Sequence, residues 1–235
     1  MFKVVYVARF REGLTRAEAS AYWTDVHAPL AVGIPGFAGY TQNHMAGSIG
    51  PAGFVEAELA FDGYACELWA DRAAFERGMQ TPEWAAVVAD GPEVFDPDGF
   101  EGMCATIDQR VMREGPRSPF KVVWFARFRA GLDRESANEH WANVHGPIAL
   151  RAPGIDRYVQ NAVTGALAPD GSITDDPVAF DGFSECWFAD EAAYVRAVES
   201  EAWQELVEDG HNFLDMGALT GMSGVVEERI IVPEA

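Results

Sequence analysis

Two stretches of the chain, WTDVHAPL from Trp23 to Leu30 and WANVHGPI from Trp141 to Ile148, each set a histidine four residues after a tryptophan and two before a proline. On a helix, residues four apart share one side, so Trp23 with His27 and Trp141 with His145 are predicted to point together toward a core. Histidine is the side chain whose proton exchange most easily falls near neutral pH, which suits a general acid or base in a sheltered cleft. The same position also suits a histidine that only packs, and a duplicated fold would copy either kind. Downstream, Tyr40 alternates with Gln42 and Tyr158 with Gln160, so each pair shares one strand face. His44 extends that face in the first copy, where Ala162 stands in the second. If this face lies under the helices, one cleft collects His27, Tyr40, Gln42 and His44, and another collects His145, Tyr158 and Gln160. With the opposite alternation, Asn43 and Asn161 face the clefts and the tyrosines line the contact between sheets.

Other polar residues are weaker candidates. Glu67 and Glu185 lie in matching strands but are offset by one under gapless pairing, so a bulge would be needed to aim both the same way. Buried beside Trp69 or Trp187, either carboxyl would hold its proton and could act as an acid. Arg9 and Arg127 end the first strands, where a guanidinium can grip a carboxylate or simply face solvent. His140 precedes Trp141 and turns toward the surface, whereas His211 stands where the first copy has Pro92 and can approach the second cleft. No metal-ligand spacing, nucleophile elbow, phosphate-binding glycine loop or dinucleotide fingerprint is present, so hydrolase, kinase and nicotinamide chemistries are not indicated.

These residues sit in a duplicated unit. FKVVYVARFREGL from Phe2 matches FKVVWFARFRAGL from Phe120, and FDGYACELWAD from Phe61 matches FDGFSECWFAD from Phe180 after one inserted residue. The expected division is a domain over 1–112, a linker over 113–119 (REGPRSP) and a second domain over 120–235. Within each copy the pattern is strand, helix, strand, strand, helix, strand. Thr15 with Glu18 forms a capping box and Asp133 takes the same capping place. Ala19, Trp23, Val26 and Leu30 form a helical stripe, and Pro29 and Pro147 are expected to end their helices. Thr81-Pro82 should split the second helix. Ala46 to Gly53 and the stretch TGALAPDGSITDDP read as surface loops, and the last strands are placed from Phe100 and Leu219. A βαββαβ unit is the ferredoxin-like arrangement, whose antiparallel sheet needs cover on its second face. The fold class is therefore α+β, with two tandem units whose sheets pack into an intramolecular α/β-barrel.

Bulk properties narrow the partners. At 235 residues and a net charge of −20 the chain is a poor match for nucleic acid or an anionic membrane surface. No apolar run approaches the roughly 20 residues of a membrane span. Three scattered cysteines suggest buried thiols in a reducing compartment, and a cytoplasmic location is expected.

The motifs W-x-x-x-H-x-P-[LI], P-G-[FI]-x-x-Y-x-Q-N and D-G-[YF] followed by E-x-W resemble the EthD-like members of the dimeric α/β-barrel superfamily, over nearly the whole chain and twice. The resemblance implies a small aromatic or lactone-like substrate in a cleft between sheet and helices, with no metal and no organic cofactor. It also implies either a monomer with pseudo-dimeric halves or a homodimer. The function expected first is a cofactor-independent lyase that decarboxylates a small aromatic or polyketide-like acid. His27 or His145 would exchange the proton, Tyr40 or Tyr158 would hold the developing oxyanion, and Trp23, Trp141, Gln42, Gln160 and His44 would bind substrate. A cofactor-free cyclase or monooxygenase needs the same groups, and a non-catalytic binding module with packing histidines is the alternative of another class.

Overall fold

The computed structural model describes residues 1–100, 102–168, 171–218 and 221–234. Glu101, Leu219 and Thr220 at the expected starts of the last strands, Pro169 and Asp170 in the second expected loop, and Ala235 lie outside the described residues. The first half runs β1 (Phe2–Ala8), α1 (Arg16–Tyr22), α2 (Ala28–Val32), β2 (Phe37–Gly50), β3 (Gly53–Phe54), β4 (Gly63–Trp69), α3 (Arg72–Gly78), α4 (Pro82–Asp90) and β5 (Cys104–Arg113). The second repeats it as β6 (Phe120–Ala126), α5 (Arg134–His140), α6 (Gly146–Ala149), β7 (Ile155–Leu167), β8 (Ile173–Thr174), β9 (Gly182–Phe188), α7 (Glu191–Val198), α8 (Glu201–Phe213) and β10 (Gly224–Val232). Eight strands close into an antiparallel barrel in the order β1-β4-β2-β10-β6-β9-β7-β5 and back to β1. The halves join edge to edge where β2 pairs with β10 and β5 with β7, which leaves neither half with a free sheet edge.

Both faces of the strands are covered, which explains their near-continuous apolar sequences. Val5, Val7, Phe61, Tyr64, Phe125 and Phe183 fill the barrel, while Val4, Ala8, Tyr40 and Trp69 face the helices of the first half. One end of the barrel interior is charged instead. The Lys121 ammonium donates to Glu228 Oε1 at 2.5 Å and Asn43 Oδ1 at 2.6 Å, and lies 2.6 Å from Glu185 Oε1. Lys3, its counterpart, donates to Gln109 and Asn161. Two of these contacts, Lys121 with Asn43 and Lys3 with Asn161, cross between the halves.

Local chemistry sets the helix boundaries. Thr15 and Glu18 form the capping box, Asp133 caps α5, and Thr81 caps α4 with Pro82 in its first turn. The expected stops at Pro29 and Pro147 are not observed. Each helix instead widens into one π turn, Trp23–His27 and Trp141–His145, and continues past the proline. Proline has no N–H to give and its ring crowds the carbonyl four residues back; in the wide turn the Ala28 N–H reaches the Trp23 carbonyl five residues back. The extra residue rotates the following face, so His27 points inward as its spacing from Trp23 predicts, whereas Val26, expected in the same stripe, is 42% exposed.

The stretch from Ala46 to Gly53 is not a surface loop. β2 continues to Gly50 and turns back as β3, and Ile49 is buried in the apolar cluster of the second half. Leu167 and Ile173 of β7 and β8 pack reciprocally into the first half. The glycines read as loop formers in sequence serve a hairpin that crosses to the other half.

Candidate active sites

Each half holds a cavity between its sheet and its helices, about 270 Å³ in the first and 260 Å³ in the second. That is just under the roughly 300–1,000 Å³ of sites for drug-sized ligands, and suits one small aromatic molecule. Tyr6, Trp23, His27, Tyr40, Glu67 and Phe95 are among the residues that line the first. Trp124, Trp141, His145, Tyr158, Cys186 and Leu214 hold the matching places in the second.

The pleat of β2 puts Tyr40, Gln42 and His44 under the helices and sends Asn43 into the barrel, where it meets Lys121. Tyr40 and Tyr158 reach the cavities; Gln42, Gln160 and His44 do not. Gln42 Nε2 donates to the Tyr40 hydroxyl at 3.2 Å and to the Trp23 carbonyl at 3.0 Å, and Gln160 does the same for Tyr158 and Trp141. These glutamines hold the wall from behind. His44 lies beneath the Trp23 ring, 4.6 Å between centroids, with Nδ1 2.9 Å from Ser20 Oγ. Burial and then the nearby Arg229 and Arg16 hold His44 down to about 3, so it is a neutral packing group at physiological pH.

His27 and His145 each meet an aspartate that sequence reasoning overlooked. His27 Nδ1 lies 2.8 Å from Asp90 Oδ2, and Tyr22 donates to the other oxygen at 2.8 Å. His145 Nδ1 lies 2.9 Å from Asp209 Oδ2, and His140, expected to turn to the surface, contacts the same carboxylate at 2.9 Å. An ionised carboxylate only accepts, so each imidazole carries its proton on Nδ1 and keeps the Nε2 lone pair. Burial lowers the His27 pKa, with Asp90 opposing part of the shift, and His145 behaves alike. Both are neutral bases near pH 7. The sequence did carry the signal: Asp-Gly recurs at 90–91 and 209–210 in register with the FDG repeat.

The FDG repeat itself anchors the tryptophan. Asp62 Oδ2 accepts from the Phe10 N–H at 2.8 Å, and Asp181 does so for Phe128. A Cβ on Gly63 would stand 2.7 Å from both the Trp23 ring and the Asn43 carbonyl. Gly63→Ala is therefore expected to cost about 1–3 kcal/mol through overpacking. Thermal unfolding measures it, and an unchanged melting temperature would remove this account of the motif.

The register of β4 and β9 is gapless: Val4 faces Glu67, and Val123 faces Glu185. With no bulge to re-aim them, Glu67 points into the first cavity and Glu185 into the barrel, with Cys186 in the cavity place of Glu67. Arg9 and Arg127 are occupied by the Ala60 and Ala179 carbonyls and line neither cavity. His211 is exposed and also lies outside the second cavity. Among the described residues no group of three or more His, Cys, Asp or Glu is placed to hold a metal ion, and no helix is long and apolar enough to cross a membrane.

A closed barrel of two βαββαβ halves with a histidine-lined cavity under each set of helices defines a dimeric α/β-barrel protein built within one chain. The EthD domain matches residues 11–98 and 129–217, and the chain belongs to the EthD family. No curated protein matches it. Among solved structures it is similar to an anthrone oxidase-like protein, at 11% identity and a TM-score of 0.58 over 100% of this chain and 94% of that one. It is also similar to a candidate monooxygenase of Fusobacterium nucleatum, at 12% identity and a TM-score of 0.55 over 99% and 93%. At such identities the likeness is one of fold.

Proposed function

We propose that the chain is a cofactor-independent enzyme that oxidises a small, neutral phenolic or anthrone-like ring with dioxygen. The observation that carries this reading is the imidazole–aspartate pair, His27 with Asp90, set against Tyr40 in an apolar cavity. His27 Nε2 takes a proton from a ring-activated methylene, and the Tyr40 hydroxyl donates to the oxygen on which the charge collects. Tyr40 is suited to this because its oxygen already accepts from Trp23 and Gln42, which turns its own proton elsewhere. The carbanion forms a carbon–oxygen bond with dioxygen and regains the proton as a hydroperoxide. Loss of water then leaves a ketone, so that CH2 and O2 become C=O and H2O. The names of the two similar structures favour the same chemistry.

Decarboxylation, the reaction expected first from sequence, is less well supported. The described residues lining the first cavity include no lysine or arginine to receive a substrate carboxylate, and they do include Glu67. The deciding experiment follows O2 uptake with anthrone and CO2 release with a panel of phenolic acids, both with chelator present. Chelator-insensitive uptake of one O2 per ketone formed supports the oxidase; CO2 release without O2 uptake restores the lyase.

A further inference from the structure

Glu67 is the one carboxyl among the described residues lining either cavity, and the second half has replaced it. It projects from β4 directly opposite Tyr40 on β2, beneath the helices that carry His27. It is buried, and its Oε2 makes no hydrogen bond, although the Trp69 indole N–H lies beside it, also unpartnered; the hydroxyl of Tyr6, on neighbouring β1, is equally buried and unpartnered. Buried polar groups are nearly always satisfied, and two unsatisfied ones on a single cavity wall mark the place of an absent partner. The titratable groups facing Glu67 are Tyr6 on β1, Tyr40 on β2, Cys104 on β5 and, across the cavity, His27 with Asp90. None of them is a cation near neutral pH. The corresponding positions of the second cavity hold Trp124, Tyr158, Ser223 and Cys186, leaving it with no carboxyl and one phenol in place of two.

We infer that Glu67 is a further catalytic residue of the first cavity, a neutral carboxylic acid that, with Tyr6 and Tyr40, donates hydrogen bonds to a carbonyl oxygen of the substrate while His27 takes the proton. The two cavities then differ in chemistry: the first offers an acid to the oxygen of a keto- or hydroxy-aromatic, and the second does not. This rests on the base assignment made for His27 and deepens it. An acid on the wall opposite a base is the arrangement enolisation requires, because the proton leaves carbon as the oxygen gains a donor. Burial pushes Glu67 up to about 8, with the Trp69 indole beside it pulling the other way, so the acid form prevails at neutral pH.

The test uses the full chain with 1,8-dihydroxyanthraquinone as the probe, read by quenching of tryptophan fluorescence and by the visible band of the dye. Glu67→Leu is expected to weaken one binding step roughly tenfold, as loss of a buried hydrogen bond would. Glu67→Gln, which keeps an N–H donor in place, should stay within about threefold of wild type. Wild-type affinity should fall as pH rises through about 8, and this alkaline limb should vanish in Glu67→Gln. Thermal unfolding should show Glu67→Leu at least as stable as wild type, since a purely structural carboxyl would lower the melting temperature instead. Unchanged binding by Glu67→Leu, an alkaline limb that survives in Glu67→Gln, or a wild type that does not bind the dye overturns the inference. Glu67-dependent binding without O2 uptake on anthrone overturns the oxidase reading alone.

Discussion

His27→Ala is expected to lower turnover of an anthrone-like substrate by roughly 10²–10⁴-fold, the usual contribution of a positioned general base. Asp90→Asn should cost nearly as much while leaving every contact in place. An asparagine amide can donate to Nδ1, which moves the imidazole proton to Nε2 and removes the lone pair the reaction needs. The acid limb of the pH profile carries a second signature. Burial lowers the His27 pKa below its ordinary value of 6.5, so activity should persist below that pH and fall only when the ring protonates. His145→Ala serves as the comparison, because its cavity lacks the counterparts of Glu67 and Tyr6. Stopped turnover in His27→Ala with His145→Ala largely active would locate the chemistry in the first half; equal and slight losses in both would return the histidines to a packing role.

The largest stability effect is expected from Lys121→Met. The ammonium is enclosed by Glu185, Glu228 and Asn43, and methionine fills its volume without its charge. Breaking a buried pair by removing one partner costs about 3–5 kcal/mol, because the remaining charge stays buried without compensation. For a chain of this size that is a fall in melting temperature of about 10 °C. The pH dependence has a definite sign. Burial raises the Glu185 pKa, but Lys121 and then Lys3 outweigh it and hold the carboxyl to about 2. A depressed carboxyl contributes stability above its unfolded value of 4.5 that is lost as pH falls toward the folded value. The gap between wild type and variant should therefore hold from pH 7 to about 4.5 and narrow as pH falls from there toward 2. A variant as stable as wild type at neutral pH would show that the cluster contributes nothing net.

The duplication, the capping box at Thr15, the break at Thr81 and the barrel class were legible because each rests on a local pattern repeated in both copies. What escaped depended on geometry that alternation and the 3.6-residue period do not contain. The π turn shifts the register by one residue, so His27 points inward as expected while Val26, expected in the same stripe, faces solvent. The direction of the β2 pleat was open until the helices fixed which face they cover, and then His44 proved to sit beneath Trp23. Glu67 and Glu185 looked alike in sequence, yet a gapless strand sends neighbouring residues to opposite faces, so one enters a cavity and the other an ion cluster. Asp90 lies 63 residues from His27, and only the closed fold brings them together.

The crossed hairpins carry a consequence for how such a protein can change. Ile49, Pro51 and Val55 of the first half wall the second cavity, with the Trp203 indole donating to the Pro51 carbonyl at 2.9 Å, and Ala168 of the second half borders the first. In an assembly of two identical chains, any substitution appears at both sites at once and must suit both. Here each site draws on two segments that exist once, so one pocket can drift toward a new ligand while its sibling keeps the old one. The substitution responsible can lie on the opposite half of the polypeptide. Joining the copies ended their obligation to evolve in step.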